Sequence, residues 1–280
     1  MINRLIILAG GASSRMKNSQ AESVLDAEQI QQANQRSKGL IEVDDTGRSL
    51  LDYLLKNAQI AGYKIVYIIT GKDSSMFRAR YKHHAELKIK FAIQYIPEDR
   101  VKPLGTADAV YQTLEQYPEL KKNQFSVCNS DNLYSVNALQ SLLNIKSQNG
   151  CIAYDRDYLE FSIDRISKFA VMQFDHNYQL LNIIEKPDLE KVKNYRDVEG
   201  KIRVSMNIFT FDGSISFPFF KDCPIHPERN EKEIPTVISH MLKVNSKSML
   251  GIPLAEHVPD LTSKEDIIKM SDYLRKNFNS

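Results

Sequence analysis

A chain of 280 residues, 42% hydrophobic and 26% charged with a formal net charge of +2, can bury a sizeable core as one large α/β domain or two small ones. It lacks the basic excess or basic run of a nucleic-acid binder, and no apolar run is long enough for a membrane span. Its three cysteines, Cys128, Cys151 and Cys223, are odd in number and match no zinc or disulfide spacing, so they read as reduced thiols of a cytoplasmic protein.

The first apolar run, 5–9, is broken by Gly10-Gly11 and followed by no cleavage pattern, so it reads as a strand and not as a signal peptide. Residues 17–37 come next, a polar stretch with a helix-like core at 26–34 and a narrow apolar face from Val24, Leu25, Ile30 and Ala33. A loop after a first strand usually runs only ~2–6 residues. The insertion therefore reads either as a lid over a ligand or as an excursion, docked or loose. Further buried strands are predicted at 65–70, 91–96 and 125–128. Apolar residues recur at helical spacing in 49–61, 74–85, 106–116 and 135–146, with Gly62 as a C-cap and Thr106 as an N-cap. Strands alternating with helices predict a parallel sheet with right-handed crossovers.

The pattern changes after Gly150. Strand-like runs at 170–174, 180–185 and 204–211 follow one another closely, which predicts a mixed or antiparallel addition to the sheet. Ser263, with Asp266 three residues on, opens a last helix at 263–276. No repeat, low-complexity tract or linker interrupts the chain, so a single domain over 1–280 is expected.

Several segments carry chemistry of their own. Leu8-Ala9-Gly10-Gly11 ends the first strand, and Arg15 follows shortly after. Glycines let backbone N–H groups approach phosphate oxygens, and a guanidinium fork matches them. The pattern is neither GxGxxG nor GxxxxGK[ST], and a plain turn is the alternative. Gln94 carries a carboxamide that both donates and accepts, and Pro103-Leu104-Gly105-Thr106 is a tight entry to a helix whose N-terminus favours an anion. Asp131 stands at the C-terminal edge of an apolar strand, where open α/β sheets bind ligands. A hard carboxylate there suits Mg²⁺, or else an Asx turn. Glu185-Lys186-Pro187 ends a later strand with an acid and a base on opposite faces, or is a solvated terminus with a turn proline.

Taken in order from Leu5 to Asp266, these segments resemble the sugar-phosphate nucleotidyltransferase family. Leu8 to Met16 is similar to its LAGGxGTRM signature, with Ser13 where glycine is usual; Ser13-Ser14-Arg15-Met16 is also similar to molybdenum-cofactor guanylyltransferases and related cytidylyltransferases. The resemblance implies that Leu8, Ala9, Gly10, Gly11, Gln94, Gly105 and Thr106 bind the nucleotide, and that Arg15 and Lys38 are phosphate-binding cations. Ser37 stands where proline usually precedes that lysine, and Gly105-Thr106-Ala107-Asp108-Ala109 looks most like the adenylyl-transferring members. Asp131 takes the place of the metal-binding acid of a GDN or GDD motif, with Ser130 for its glycine, and Asp260 that of the second metal ligand. Glu185 is implied to accept sugar hydroxyls and Lys186 to grip the sugar phosphate, within a pocket that includes Ala170, Ser205 and Asn207. Ala170 and Asn207 replace family glycines, and asparagine tolerates the left-handed conformation better than most residues.

The resemblance further implies a Rossmann-like α/β fold: a mixed, mostly parallel sheet flanked by helices, with an antiparallel sugar-binding addition in the second half. The nucleotide-binding half is expected at about 1–148, the sugar-phosphate-binding half at about 149–262 and a C-terminal helix at 263–280. The implied reaction joins a nucleoside triphosphate to a sugar 1-phosphate with release of pyrophosphate, with Mg²⁺ as cofactor. Neither a nucleic acid nor a membrane is an expected partner, and a homo-oligomer is compatible. A non-sugar acceptor of the cytidylyl or molybdopterin guanylyl type, or a non-catalytic nucleotide-sugar sensor on the same fold, are the alternatives.

Overall fold

The computed structural model describes residues 3–20, 25–145, 148–185, 187–188 and 190–278. The aliphatic run Leu5, Ile6 and Ile7 is fully buried at the centre of strand β1 (Arg4–Leu8). A five-residue helix α1 (Ser14–Asn18) and the insertion helix α2 (Ala27–Gln35) follow. Then come α3 (Leu50–Ala61), β2 (Ile65–Thr70), α4 (Ser75–Tyr81), β3 (Lys88–Ile93), α5 (Thr106–Gln116), β4 (Gln124–Asn129) and α6 (Val136–Asn144). The second half runs through β5 (Asn149–Asp155), α7 (Ile163–Ile166), β6 (Val171–Phe174), β7 (Leu180–Ile184), β8 (Arg203–Val204) and β9 (Ile208–Asp212). It closes with α8 (Gly213–Lys221), α9 (Ile234–Val244), β10 (Met249–Leu254) and α10 (Glu265–Phe278).

One ten-stranded sheet carries all of this in the order β3-β2-β1-β4-β9-β5-β8-β6-β7, with β10 beside β5. From β3 to β4 every pairing is parallel, as the strand and helix alternation predicts. Beyond β4 the pairings in this path are antiparallel, while β10 runs parallel to β5. Helices cover both faces, so the central strands are buried on each side and read as continuous apolar runs. No helix among the described residues is long and apolar enough to cross a membrane.

Four expectations need correction. The strand expected at 204–211 is two strands, because Asn207 takes a left-handed φ of 57° and diverts the chain: β8 pairs with β6, β9 with β4. The strand expected at 91–96 ends at Ile93. Beyond it the Gln112 side chain accepts from the Tyr95 N–H at 2.8 Å and donates to the Tyr95 carbonyl at 3.0 Å, as Gln116 does for Ile93 at 3.0 and 2.8 Å. The helix expected at 74–85 stops at Tyr81. Elements β5, β10, α8 and α9 had no counterpart in the sequence reading. Gly150, Pro253, Pro218 and Pro235 stand inside or at the ends of these elements and mask their patterns. By contrast, Gly62 closes α3 in the left-handed region at φ 104°, and Asp266 accepts from the Ser263 N–H at 2.8 Å before α10.

The insertion helix is docked, not loose. Asp26 caps it, accepting from the Gln29 N–H at 2.7 Å. Ala33 is fully buried in a third apolar cluster with Leu25, Met16, Tyr53, Ile267 and Leu274, between α3 and α10. Buried Gln32 donates to the Glu42 carboxylate at 3.0 Å and accepts from the Glu42 N–H at 3.0 Å. Val24, part of the expected apolar face, lies outside the described residues. Replacing Ala33 with Asp buries a charge in this cluster and is expected to lower stability by about 2–4 kcal/mol in urea unfolding. A loose helix would absorb the change within ~0.5 kcal/mol.

Candidate active site

Strands β2, β1 and β4 end side by side, and their C-terminal loops are stitched together. The Ala9 N–H donates to the Ile69 carbonyl at 2.8 Å, and the Ser130 N–H to the Leu8 carbonyl at 3.1 Å. A cavity of about 370 Å³ opens at this edge. It gathers every residue expected to bind the nucleotide, namely Leu8, Ala9, Gly10, Gly11, Gln94, Gly105 and Thr106, together with Arg15, Lys38 and Asp131. A Cβ on Gly10 would sit 3.4 Å from Gln94 Oε1, whereas one on Gly11 would meet nothing within 4 Å. Ser13, where the family signature has glycine, holds a left-handed φ of 55°. That geometry costs an L-residue roughly 1–2 kcal/mol.

Gln94 is buried, and its amide group is already engaged. Nε2 donates to the Gly105 carbonyl at 2.9 Å and to Asp108 Oδ2 at 2.9 Å. Both partners are acceptors, so the orientation of the carboxamide follows from chemistry, and Oε1 is what remains for a ligand. Asp108 also accepts from Gln112 Nε2 at 2.9 Å.

Thr106 is not the helix cap expected from its residue type. Gly105 occupies that position at φ 113° and ψ −177°, a region open essentially only to glycine. The Lys232 carbonyl accepts from the Ala107 N–H at 2.9 Å, and Thr106 Oγ1 accepts from the Ile234 N–H at 3.1 Å. A segment distant in sequence thus takes an N–H that a capping side chain, or an anion, would otherwise use.

Asp131 lies just past β4 and pairs with Lys38, Nζ to Oδ2 at 2.9 Å. An isolated antiparallel bridge joins Asn132 to Asp260 and brings the two expected metal acids together. Burial pushes the Asp260 carboxyl above its ordinary range; the Asp131 charge adds to this and Arg165 opposes it. The Arg165 guanidinium meets Asp260 Oδ2 at 2.8 Å and Asp266 Oδ1 at 2.6 Å. Burial also pushes Asp266 up, but the bonds from Arg165 and from the Ser263 and Thr262 N–H groups hold it below the usual carboxylate range. Among the described residues no group of three or more His, Cys, Asp or Glu could hold a metal, so the acids offer at most a two-carboxylate site.

A second cavity, of about 1110 Å³, shares Arg15, Thr106, Asn129 and Asp131 with the first. Ala170, Glu185, Ser205, Asn207 and Asp260 line it, so the residues expected for the sugar phosphate also converge. Lys186, expected beside them, lies outside the described residues. Arg229 donates to Glu185 Oε2 at 2.9 Å and to Glu233 Oε1 at 2.6 Å. Asn207 adopts the left-handed conformation that its place in a glycine slot requires. Arg165 and Arg229 escaped the sequence reading, since each sits among ordinary charged residues and only the fold reveals its partners.

The family model described as Nucleotidyl transferase matches residues 33–255. These include Lys38, Gln94, Asp131 and Glu185, and leave Arg15 and Asp260 on either side. Glucose-1-phosphate adenylyltransferase 1 of Vibrio parahaemolyticus is 26% identical over 229 residues, covering 76% of this chain and 49% of that protein. Bifunctional protein GlmU of Methanococcus vannielii is 21% identical over 242 residues, covering 86% and 51%. The chain thus spans about half the length of the curated relatives it matches. Among solved structures, a UDP-glucose pyrophosphorylase complexed with UDP-glucose has the same fold, with a TM-score of 0.71 over 99% of both chains at 16% identity.

Gly105 offers a direct test of the clamp at the head of α5. A Cβ there would fall 2.3 Å from the Lys232 carbonyl oxygen, in a backbone region hostile to L-residues. Gly105→Ala is expected to cost about 3 kcal/mol in denaturant unfolding. A loss within ~0.5 kcal/mol would show that the 232 segment moves aside freely.

Proposed function

Because this chain belongs to the nucleotidyl transferase family, we propose that it joins a sugar 1-phosphate to a nucleoside triphosphate and releases pyrophosphate. The observation that carries this reading is the meeting of two cavities at Arg15, Thr106, Asn129 and Asp131. The smaller one, walled by the glycine pair and Gln94, suits a nucleotide, and the larger one suits a polar acceptor. Their junction is where the phosphates of two substrates would face each other.

A phosphate oxygen of the acceptor attacks the α-phosphorus, the bond from that phosphorus to the oxygen of the β-phosphate breaks, and pyrophosphate departs on the far side. No protein nucleophile is needed; the chain's work is positioning and neutralisation of charge. Arg15 is assigned to the leaving pyrophosphate, because it borders both cavities and its guanidinium is engaged by no described residue. Lys38 adds positive charge on the triphosphate side, where it now neutralises Asp131. Glu185, which lines the larger cavity and is held by Arg229, is assigned to the sugar hydroxyls. Lys186 is assigned to the acceptor phosphate on its sequence motif alone.

The donor chemistry at Asp131 and Asp260 fits Mg²⁺, which takes one or two carboxylates and completes its shell with phosphate oxygens and water. When bound there, the ion would polarise the α-phosphate and help align the two reactants. Asp131 and Asp260 would hold it, with Arg165 and Lys38 balancing the charge of the pair.

ATP with glucose 1-phosphate is the first pair to assay, and pyrophosphate release across all triphosphates and common sugar 1-phosphates tests the proposal as a whole. Silence with every pair, beside measurable nucleotide binding, would favour a sensor. Asp131→Asn is expected to lower turnover by about 100-fold or more while leaving the fold intact. Near-normal turnover in that variant would remove Asp131 from the chemistry. Lys186→Ala should weaken use of the sugar phosphate by ~1.5–3 kcal/mol and use of the triphosphate far less.

A further inference from the structure

Lys264 is only 3% exposed, yet no carboxylate among the described residues pairs with it. Its ammonium donates to the carbonyls of Met16 at 3.1 Å, Lys17 at 3.0 Å and Ser19 at 2.6 Å. Its own N–H donates to Ser19 Oγ at 3.1 Å, and that hydroxyl donates to the Met16 carbonyl at 2.9 Å. All three ammonium hydrogens are thus used, which is what makes a buried lysine tolerable. The acceptors are the carbonyls at the C-terminal end of α1, where the helix dipole is negative and no further helical turn follows to take them.

Helix α1 needs such support. Five residues are too few to hold a helix by propagation alone, and the strained Ser13 precedes it. It has two anchors: the fully buried Met16 side chain, in the third apolar cluster, and Lys264 at its end. Arg15 directly precedes Met16, its carbonyl accepts from the Ser19 N–H at 3.0 Å, and the residue lines both cavities. Lys264 lies four residues after Asp260, so its side chain ties the segment that carries Asp260 to the one that carries Arg15.

We propose that Lys264 is a positioning residue for Arg15, holding α1 so that the guanidinium stays aimed at the junction of the two cavities. The inference rests on the reading of Arg15 as a triphosphate ligand. Lys264 then acts on the triphosphate and not on the acceptor, and it acts only while Arg15 is present.

The test is a double-mutant cycle with K264M and R15A, read as separate KM values for the triphosphate and the sugar phosphate. K264M is expected to raise the triphosphate KM about tenfold and leave the acceptor KM unchanged; in the R15A background it should add less than about twofold. Effects that multiply, or equal rises in both KM values, overturn the proposal. K264Q, which keeps two N–H donors, takes the place of K264M should the latter fail to fold. Hydrogen exchange of the ligand-free protein supplies a second, activity-independent reading. Amides of Lys17 and Ser19 should exchange about tenfold faster in the variant while the sheet is unchanged, and unaltered exchange there overturns the proposal. If the wild-type chain turns over no substrate pair, the transferase reading falls and the exchange measurement decides the role of Lys264.

Discussion

Two backbone hydrogen bonds hold the cleft together. The Leu133 N–H donates to the Pro259 carbonyl at 2.8 Å, and the Leu261 N–H to the Asp131 carbonyl at 2.8 Å. They fasten the last part of the chain to the end of a central strand. Asp260 reaches Asp131 because of them, and α10 is delivered to the place where it can cover α1 and the insertion helix. The Asp266 bonds that start α10, the Arg165 pairs and the Lys264 cap all lie within a few residues of this bridge. Main-chain pairing tolerates many side chains, so the register that sets Asp260 beside Asn132 does not depend on the side chains that flank it.

The charges around the cleft are paired across segments. Lys38 comes from the region after the insertion and Asp131 from the end of β4; Arg165 precedes β6 and meets Asp260 from the C-terminal part; Arg229 joins Glu185 from the end of β7. Partly buried pairs of this kind are poor sources of net stability, because desolvation offsets much of their attraction. What they do well is fix geometry. Lys38 is held by Asp131, whereas the Arg15 guanidinium meets no partner among the described residues. The two cations expected to serve one triphosphate therefore start from different states.

The sequence made the first half of the fold legible because its physics is local. Leu5 to Ile7 can only be a buried strand, and Leu51, Leu54, Leu55 and Ala58 describe a helix face that Gly62 closes. Asn207 was readable as a left-handed residue from its place in a glycine slot. The errors arise where distant groups replace local ones. The Lys232 carbonyl lets Gly105 stand where Thr106 was expected to cap, and the strand-like run 204–211 hides a corner because strand propensity alone does not tell a straight strand from a bent one. At the cleft, the motif residues could be named one by one. Their partners could not, since Arg165 and Arg229 acquire meaning only when the sheet brings other loops to them.

The glutamines of α5 have a consequence beyond the end of β3. That strand is the outermost of the sheet on its side, and such an edge invites pairing with strands of other molecules. Here the outward N–H and carbonyl groups of Ile93 and Tyr95 are taken by Gln116 and Gln112, and the Phe91 carbonyl accepts from the Tyr117 hydroxyl at 2.9 Å. Side-chain amides imitate the missing neighbour strand. A foreign strand arriving at this border would find those positions occupied, so the helix that lines the smaller cavity also guards the sheet edge against edge-to-edge pairing.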